Sequence, residues 1–303
     1  MIMSNIMNDK TDIQNLLPEG FPVRSTGISS DEFNLIRTLV YEKMGINLSD
    51  QKRALVVGRL QNNLRTNGFS SFKQYYEYIL GDSSGQALVD LADSISTNYT
   101  YFYREHGHFE YLIEHALPDV IEQLKRRNSR DIRIWCAASS TGEEPYLLAM
   151  ILRESLGQEF HQWDTGVLAT DISGTALKTA MEGVYSADKV SRVPQNYKLK
   201  YFTKQSNNMY AVSSDIKRMV TFRRFNLINK VFPFKKRFDI IFCRNVMIYF
   251  DQETRNSLVD KLYDFTTVGG YLFVGHSETL DRRATDYTYV KPAIYRKEPY
   301  NVA

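Results

Sequence analysis

Hydrophobic residues in the first third of the chain recur every three or four positions, which is the spacing of one face of an α-helix. The first series begins after Ser29, and Glu32 stands three residues later, as in a helix capping box. Two further helices are indicated after Ser49 and after Ser70. The pattern predicts an all-helical domain over residues 28–95.

Beyond residue 96 the pattern changes to short apolar runs, typical of strands in a parallel sheet, that alternate with helical segments. Repeated strand–helix units predict an α/β fold with a doubly wound, mostly parallel sheet, here over residues 96–303. The predicted strands cover 132–138, 166–171, 238–243, 270–275 and a final pair within 287–295, and the predicted helices cover 144–156, 173–181 and 252–265.

Residues of about 200–223 interrupt this alternation. They contain three short strand candidates, at 201–202, 209–212 and 219–222, separated by polar turns. Short strands joined by tight turns usually pair antiparallel. We therefore predict a small antiparallel β insert in the sheet domain.

Composition limits the classes of function. Hydrophobic residues make up 43% of the 303 residues and charged residues 24%, as in an ordinary globular protein. The net charge of +3 is too small to indicate a nucleic-acid-binding protein. Cys136 and Cys243 lie in apolar runs and are expected to be buried thiols of a reducing compartment.

The chain shows no sign of a membrane or export signal. No apolar run approaches the roughly 18 residues that a spanning helix needs. A flexible tail is expected over residues 1–27, and it has no signal-peptide core. We therefore expect a cytoplasmic protein without direct membrane insertion, and the residue pattern gives no reason to expect a metal.

The segment 239–251 carries the strongest indication of a functional site. It starts as a buried central strand, and Arg244 and Asn245 follow where that strand must end. Tyr249 comes next, before a new helix begins at Asp251. Because ligands of doubly wound sheets bind at the carboxyl ends of the strands, this segment predicts a small-molecule site.

The turns after the first two sheet strands indicate the charge of that molecule. Residues 137–145 combine a glycine, Gly142, which allows a tight turn, with two acidic residues that would repel a phosphate. Asp171 ends the second strand, where a carboxylate can bind both hydroxyls of a ribose. S-adenosylmethionine, a nucleoside with a positively charged tail, fits both turns. The alternative for Asp171 is a simple helix cap.

The segment 95–105 links the helical domain to the sheet. Asn98, Thr100 and Arg104 form a polar series that is interrupted by three Tyr and one Phe. A solvated linker helix is the simpler interpretation, but four exposed aromatic side chains would be costly. We therefore expect this segment to form part of the wall of the site.

These segments resemble, in order and spacing, the CheR family of chemotaxis receptor methyltransferases. The resemblance extends over nearly the whole chain from about residue 28, and it is most specific in the strings STGEEPY and FCRNVMIYF. It implies transfer of the S-adenosylmethionine methyl group to glutamate side chains on the cytoplasmic methylation helices of chemoreceptors, for sensory adaptation. The matching segments are 95–105, 135–145, 169–172, 225–227, 242–251 and 275–278.

The resemblance also implies a set of cofactor contacts. Asp171 would hold the ribose, and Asn226 and Leu227 would border the adenine. Glu144 would lie near the methionyl end, with Glu143 as a rival. The implied contacts are Asn98, Thr100, Arg104, Glu144, Asp171, Asn226, Leu227, Arg244 and Asn245.

Arg104 and Tyr249 are the implied catalytic residues, closest to the transferred methyl group. A glutamate carboxylate is already ionised at neutral pH and needs no general base. The task of the enzyme is then to align nucleophile, methyl and sulfur at about 3 Å. We expect Arg104 to hold the incoming carboxylate and Tyr249 to orient either reactant, and neither to take a proton.

The protein substrate is expected on the second helix. Lys52 and Arg59 are seven residues apart and share a face, and Arg53 and Arg65 add charge nearby. A solvated helix face is the alternative, but the resemblance favours binding of acidic receptor helices. Some family members bind a receptor C-terminal pentapeptide through a glycine-containing loop of the β insert. Since residues 204–208 contain no glycine, we expect independence of that tether.

Two other functions stay open. A nucleic-acid methyltransferase could place the basic helix on phosphates, but the low net charge and the lack of an Asn-Pro-Pro-Tyr motif weigh against it. A non-catalytic S-adenosylmethionine-binding scaffold is disfavoured because Arg104 and Tyr249 are both present. We therefore expect no nucleic-acid partner.

Overall fold

The structure, a computed structural model, describes residues 27–299, so the tail predicted over 1–27 falls outside the described residues except for Gly27. The helical region contains four helices, one more than the three that were indicated individually. The predicted capping box is present, because the Ser29 hydroxyl accepts the Glu32 N–H and the Glu32 carboxylate accepts the Ser29 N–H. The four helices are α1 (Ser30–Met44), α2 (Arg53–Thr66), α3 (Phe72–Gly81) and α4 (Gln86–Ile95).

The rest of the described chain alternates strands and helices, as predicted. The strands are β1 (Asp131–Cys136), β2 (Asp164–Asp171), β3 (Val184–Ser186), β4 (Phe202–Lys204), β5 (Met209–Val212), β6 (Val220–Arg224), β7 (Phe238–Cys243), β8 (Thr266–Val274), β9 (Thr288–Lys291) and β10 (Ile294–Arg296). The helices are α5 (Gly107–Tyr111), α6 (Leu117–Arg126), α7 (Glu143–Leu156), α8 (Gly174–Glu182), α9 (Ala187–Val190), α10 (Gln195–Tyr201), α11 (Ser214–Met219) and α12 (Gln252–Phe265).

The main sheet has seven strands in the order β6-β2-β1-β7-β8-β10-β9. The first five are parallel, and β10 and β9 are added antiparallel at the β8 edge. Strand order reverses on either side of β1, with β2 on one side and β7 on the other. The expectation of a doubly wound, mostly parallel sheet is confirmed, and the carboxyl ends of β1, β2 and β7 lie side by side.

Strand β7 is buried on both faces of this sheet. Ile240 and Phe242 pack in a hydrophobic cluster with α6 and α7, whereas Ile241 and Cys243 pack on the opposite side with α12. All six residues of the strand are buried. This two-sided burial explains why the strand reads as a continuous apolar run in the sequence.

The small antiparallel sheet exists, but the prediction placed it wrongly. Strands β3, β5 and β4 form it, so it extends over residues 184–212 rather than 200–223. Of the third candidate strand, at 219–222, residues 220–222 belong instead to β6 and pair parallel with β2 in the main sheet, whereas Met219 ends α11. A run of four or five apolar residues has no periodicity that distinguishes a hairpin strand from a parallel edge strand.

The helical region packs on the turn that follows β7. The Tyr41 hydroxyl donates to the Asp251 carboxylate at 2.6 Å, and the Asn47 N–H donates to the Tyr249 carbonyl at 2.8 Å. Gly45 ends α1 at φ 71°, and a Cβ there would lie 2.4 Å from the Ile228 side chain. These contacts join α1 and the loop after it to the segments that follow β6 and β7.

Both cysteines are buried free thiols, as expected, and burial raises their pKa well above the ordinary value. Among residues 27–299, no helix is both long enough and apolar enough to cross a membrane.

Candidate functional site

A cavity of about 270 Å³ opens between the helical region and the carboxyl ends of β1, β2 and β7. Its wall combines α2, the linker after α4 and the turns that follow the three strands. Every residue predicted to contact the cofactor or to be catalytic lines this cavity. These residues are Asn98, Thr100, Arg104, Glu144, Asp171, Asn226, Leu227, Arg244, Asn245 and Tyr249.

Asp171 is fixed at the end of β2 by the backbone. One of its carboxylate oxygens accepts the Ser140 N–H at 2.8 Å and the other accepts the Ser173 N–H at 2.9 Å. Burial raises the pKa of Asp171, and these two donors oppose the rise. The N-cap of α8 is Ser173, whose hydroxyl accepts from Ala176, so Asp171 does not have the simple capping role.

The turn after β1 separates the two candidate glutamates. Glu143 is fully buried and pairs with Lys189 at 2.5 Å, away from the cavity. Glu144 lines the cavity and forms an ion pair with Arg244. The turn depends on Gly142, which has φ 95° and leaves room for the Tyr185 hydroxyl. Of the two glutamates, only Glu144 can contact a molecule in the cavity.

Arg244 is held between two carboxylates. It is 5% exposed, and its guanidinium pairs with Glu144 and, at 2.9 Å, with Glu105. Burial alone would lower the pKa of Arg244, but the two glutamates raise it. Together with Asp171, Glu144 gives the deep wall two carboxylates to the one guanidinium of Arg244, which favours a cationic ligand over a phosphate.

Arg104 projects from a turn with unusual backbone angles. Tyr103 and Glu105, on either side of it, have φ values of 62° and 57°, in the left-handed region that side chains other than glycine rarely adopt. The guanidinium of Arg104 donates to the Tyr99 carbonyl at 2.8 Å. The Arg104 carbonyl accepts from Arg244 at 2.5 Å. The turn is thus tied to the strand end.

Glu105 anchors this turn, and sequence reasoning assigned it no role. Besides Arg244, it accepts from the Asn245 amide at 3.1 Å and from the His276 N–H at 3.3 Å. Burial would raise the pKa of Glu105, but the Arg244 guanidinium and the Asn245 amide lower it well below the usual value. One carboxylate therefore connects the linker to the ends of β7 and β8.

His108 is the second residue that was missed. It is buried beside Glu105 and His276, with ligand-type atoms of all three within 4.8 Å, and neither ring nitrogen has a hydrogen-bond partner among the described residues. Burial and the nearby Arg244 lower the pKa of His108 to about 3. Because Arg244 already occupies the Glu105 carboxylate at 2.9 Å, the charge arrangement disfavours a divalent cation in this cluster.

Glu278 is the third residue that was missed, and it stabilises the turn that contains Tyr249. Its buried carboxylate accepts the N–H groups of Gly275 at 2.6 Å, Asn245 at 2.7 Å and Ile248 at 3.2 Å. Asn245 has φ 57°, another non-glycine residue in the left-handed region. Glu278 thereby fixes Asn245 and the following turn against the end of β8.

The basic residues predicted on α2 divide between two environments. Lys52 lies in a 3₁₀ turn just before α2, and it lines the cavity together with Arg59. Arg59 binds the linker after α4, since its guanidinium donates to the Ile95 carbonyl and to the Thr97 hydroxyl. Arg53 lies outside the cavity, with its guanidinium 4.9 Å from the Phe33 ring centroid, and Arg65 does not line the cavity either.

Comparison with known proteins identifies the family. Residues 31–96 match the all-alpha domain of the CheR methyltransferases, and residues 98–295 match their SAM-binding domain. The chain belongs to the CheR methyltransferase family. A chemotaxis protein methyltransferase of Borreliella burgdorferi is 41% identical, over 89% of this chain and 95% of its own. One of Escherichia coli is 36% identical, over 88% and 91%.

Among solved structures, a geranyl diphosphate methyltransferase in complex with GPP and sinefungin matches 56% of this CheR chain and 44% of its own, with 13% identity. Its TM-score of 0.31 is too low to support any conclusion here.

S-adenosylmethionine is the cofactor of this CheR protein, which acts as a methyltransferase in chemotaxis. The cavity fits that cofactor in two respects. Asp171 lines the cavity at the end of β2, and a carboxylate at that place accepts hydrogen bonds from ribose hydroxyls. The excess of carboxylates on the deep wall suits the positive ammonium and sulfonium groups.

Proposed function

We propose that the protein transfers the methyl group of S-adenosylmethionine to glutamate side chains of chemoreceptors and forms glutamyl methyl esters. The observation that carries this proposal is the opposite charge of the two ends of the cavity. Carboxylates predominate on the deep wall, whereas Lys52 and Arg59 come from the helical region. A cationic donor inside and an anionic acceptor outside would complement this arrangement.

The proposed cofactor contacts are those that the family resemblance implies, and all of them line the cavity. Asp171 holds the ribose, Asn226 and Leu227 border the adenine, and Glu144 lies at the methionyl end. Glu144 is preferred over Glu143 because only Glu144 lines the cavity. The remaining proposed contacts, which also line the cavity, are Asn98, Thr100, Arg104, Arg244 and Asn245.

When bound, S-adenosylmethionine supplies an electrophilic methyl group on a cationic sulfur. A glutamate carboxylate can accept it in line without losing a proton first. Arg104 and Tyr249 therefore act by position: Arg104 holds the incoming carboxylate by a charge-assisted hydrogen bond, and Tyr249 orients the reactants.

Lys52 and Arg59 are proposed to attract the acidic receptor helix. Both line the cavity, and the Lys52 ammonium lies 5.7 Å from the ring centroid of Tyr249. Attraction of this kind speeds encounter and weakens as salt is added. Arg53, which packs on Phe33 outside the cavity, could contribute only from the flank.

The protein is further proposed to act without a receptor C-terminal pentapeptide. The connection between β4 and β5 is a short turn, in which Asn207 and Asn208 adopt φ values of 56° and 58° in place of glycine. Such a turn offers little loop to cover an added strand. Calorimetry with a receptor pentapeptide should show no binding at micromolar concentration, and tight binding would contradict the proposal.

The competing functions are separated by a transfer assay with labelled S-adenosylmethionine. The protein should label a cytoplasmic receptor fragment and leave RNA unlabelled. Preferential labelling of RNA would establish the nucleic-acid reaction instead. A protein that binds S-adenosylhomocysteine but labels neither would be the non-catalytic scaffold.

A further inference from the structure

Three exposed hydrophobic side chains surround the mouth of the cavity. They are Leu55, Tyr99 and Ile248, which are 44%, 68% and 40% exposed. They come from α2, from the linker after α4 and from the turn after β7, and all three line the cavity. Other exposed hydrophobics in the described residues, such as Leu80 and Leu199, lie elsewhere. Convergence of three separate segments on one opening indicates an interaction surface.

Positive charge is interleaved with this apolar surface. Lys52 stands three residues before Leu55, in the 3₁₀ turn that leads into α2, and Arg59 stands four residues after it; all three line the cavity. Arg104 lies 5.8 Å from the ring centroid of Tyr99. An acidic partner with apolar side chains next to its acidic ones would complement both features.

We propose that Leu55, Tyr99 and Ile248 form an apolar collar that packs against an acidic amphipathic α-helix of the receptor, on both sides of the reacting glutamate. In a helix, the residues three and four positions from a glutamate lie about 5–6 Å from it on the same face. Apolar or small side chains at those positions would cover the collar while the glutamate enters the cavity. The collar would thereby select glutamates by their helical neighbours, a selectivity that rests on the proposed receptor function.

The collar is tested with the full chain and three variants, Leu55→Ser, Tyr99→Ser and Ile248→Ser. Each should lower kcat/KM for a helical receptor fragment by roughly three- to thirtyfold, mainly through KM, because partial burial of one such side chain is lost. Affinity for S-adenosylhomocysteine, measured by calorimetry, should stay within about twofold. Leu80→Ser is the matched control, since Leu80 is exposed but lies outside the cavity, and it should change neither quantity.

A second arm changes the receptor fragment. Replacing the apolar residues three and four positions from the target glutamate by Ser should reduce methylation by the unmodified protein. The same replacement should reduce methylation by Leu55→Ser much less, because that variant has already lost the contact. Full rates for all three collar variants would overturn the collar while leaving receptor methylation intact. Loss of cofactor affinity in the same proportion, or an equal loss in Leu80→Ser, would also overturn it. If the unmodified protein labels no receptor fragment, the proposed function itself fails.

Discussion

Arg104 is held in place before any substrate arrives. Its neighbours Tyr103 and Glu105 have positive φ angles, which cost roughly 1–2 kcal/mol each outside glycine. This strained backbone conformation is stabilised by the Glu105 carboxylate, which accepts hydrogen bonds from Arg244 and Asn245. Strain of this kind persists where the surrounding structure enforces it, as it does at functional sites.

Substitution of the two proposed catalytic residues tests the absence of proton transfer. Arg104→Lys and Tyr249→Phe should each slow methyl transfer by roughly ten- to hundredfold, the value of one charge-assisted or well-placed hydrogen bond. Affinity for S-adenosylhomocysteine should change only a few-fold. The shape of the pH–rate profile should be unchanged, and disappearance of an ionisation in either variant would assign that residue an acid or base role. Arg65→Lys, outside the cavity, is the control.

His108 predicts an acid-sensitive fold. Its pKa is about 3 in the folded protein and about 6.5 in an unfolded chain. Between these values the unfolded chain binds the extra proton, so the free energy of unfolding should fall as pH falls, by up to about 1.4 kcal/mol per pH unit. Urea unfolding between pH 7 and pH 4 should show that the free energy of unfolding depends less steeply on pH in His108→Asn. An identical slope in both proteins would mean that His108 titrates normally.

The strand-to-turn elements of the site were predictable because each carries a strong local signal. The strand β7 is a continuous apolar run followed at once by Arg244 and Asn245, and the edge of a parallel sheet is set by where its strands end. The small sheet was misplaced because its strands have three or four residues each, too few for a period. Helix α4 lacks an N-cap side chain, which is the usual signal for a helix start.

The residues that sequence reasoning missed act through tertiary contacts. Glu105 and Glu278 do not line the cavity but bind residues that do, and His108 lies buried beside Glu105. Glu105 and its partner Arg244 are 139 positions apart, and no local pattern connects them. In contrast, Asp171, Arg244 and Asn245 stood at the ends of predicted strands, where the sequence itself marks them. Asn226 and Leu227 had no such local signal and were expected only from the family resemblance.

The turn after β1 should fail if Gly142 acquires a side chain. At φ 95° an added Cβ would lie 2.8 Å from both the Ala180 Cβ and the Tyr185 hydroxyl. Gly142→Ala should cost about 2–4 kcal/mol in the free energy of unfolding and weaken S-adenosylmethionine binding about tenfold or more. The control is Gly68→Ala, which has φ 72° but open space around it and should cost only the backbone strain, about 1–2 kcal/mol. Equal cofactor affinity in all three proteins would contradict this role.

The whole molecule places two structural units around one cavity with separate tasks. The sheet supplies the deep wall, where carboxylates predominate, and the helical region supplies Lys52 and Arg59. The contacts of Tyr41 and Asn47 with the turn after β7 keep the two units together. Because the net charge is only +3, attraction of an acidic helix depends on this local arrangement.

Reversal of one cation tests that arrangement. Lys52→Glu should raise KM for a receptor fragment about tenfold at low salt, and the difference should shrink near 1 M salt, where the Debye length is about 3 Å. Arg65→Glu makes the same charge change in α2 outside the cavity and should have little effect. An equal rise in KM for both substitutions would indicate that the net charge of the protein, and not the cations of the cavity, attracts the receptor fragment. Unchanged KM in Lys52→Glu would remove Lys52 from substrate binding.

The chemical identity of the modified group is the most direct test of the account. A receptor fragment treated with the protein and methyl-labelled S-adenosylmethionine should be digested and its labelled residue located by mass spectrometry. We predict label on glutamate side chains, released as methanol in mild base, and none on a fragment whose target glutamates are replaced by glutamine. Base-stable label on lysine, cysteine or another nucleophile would contradict the claim that the cavity accepts a glutamate carboxylate, which is already ionised when it binds.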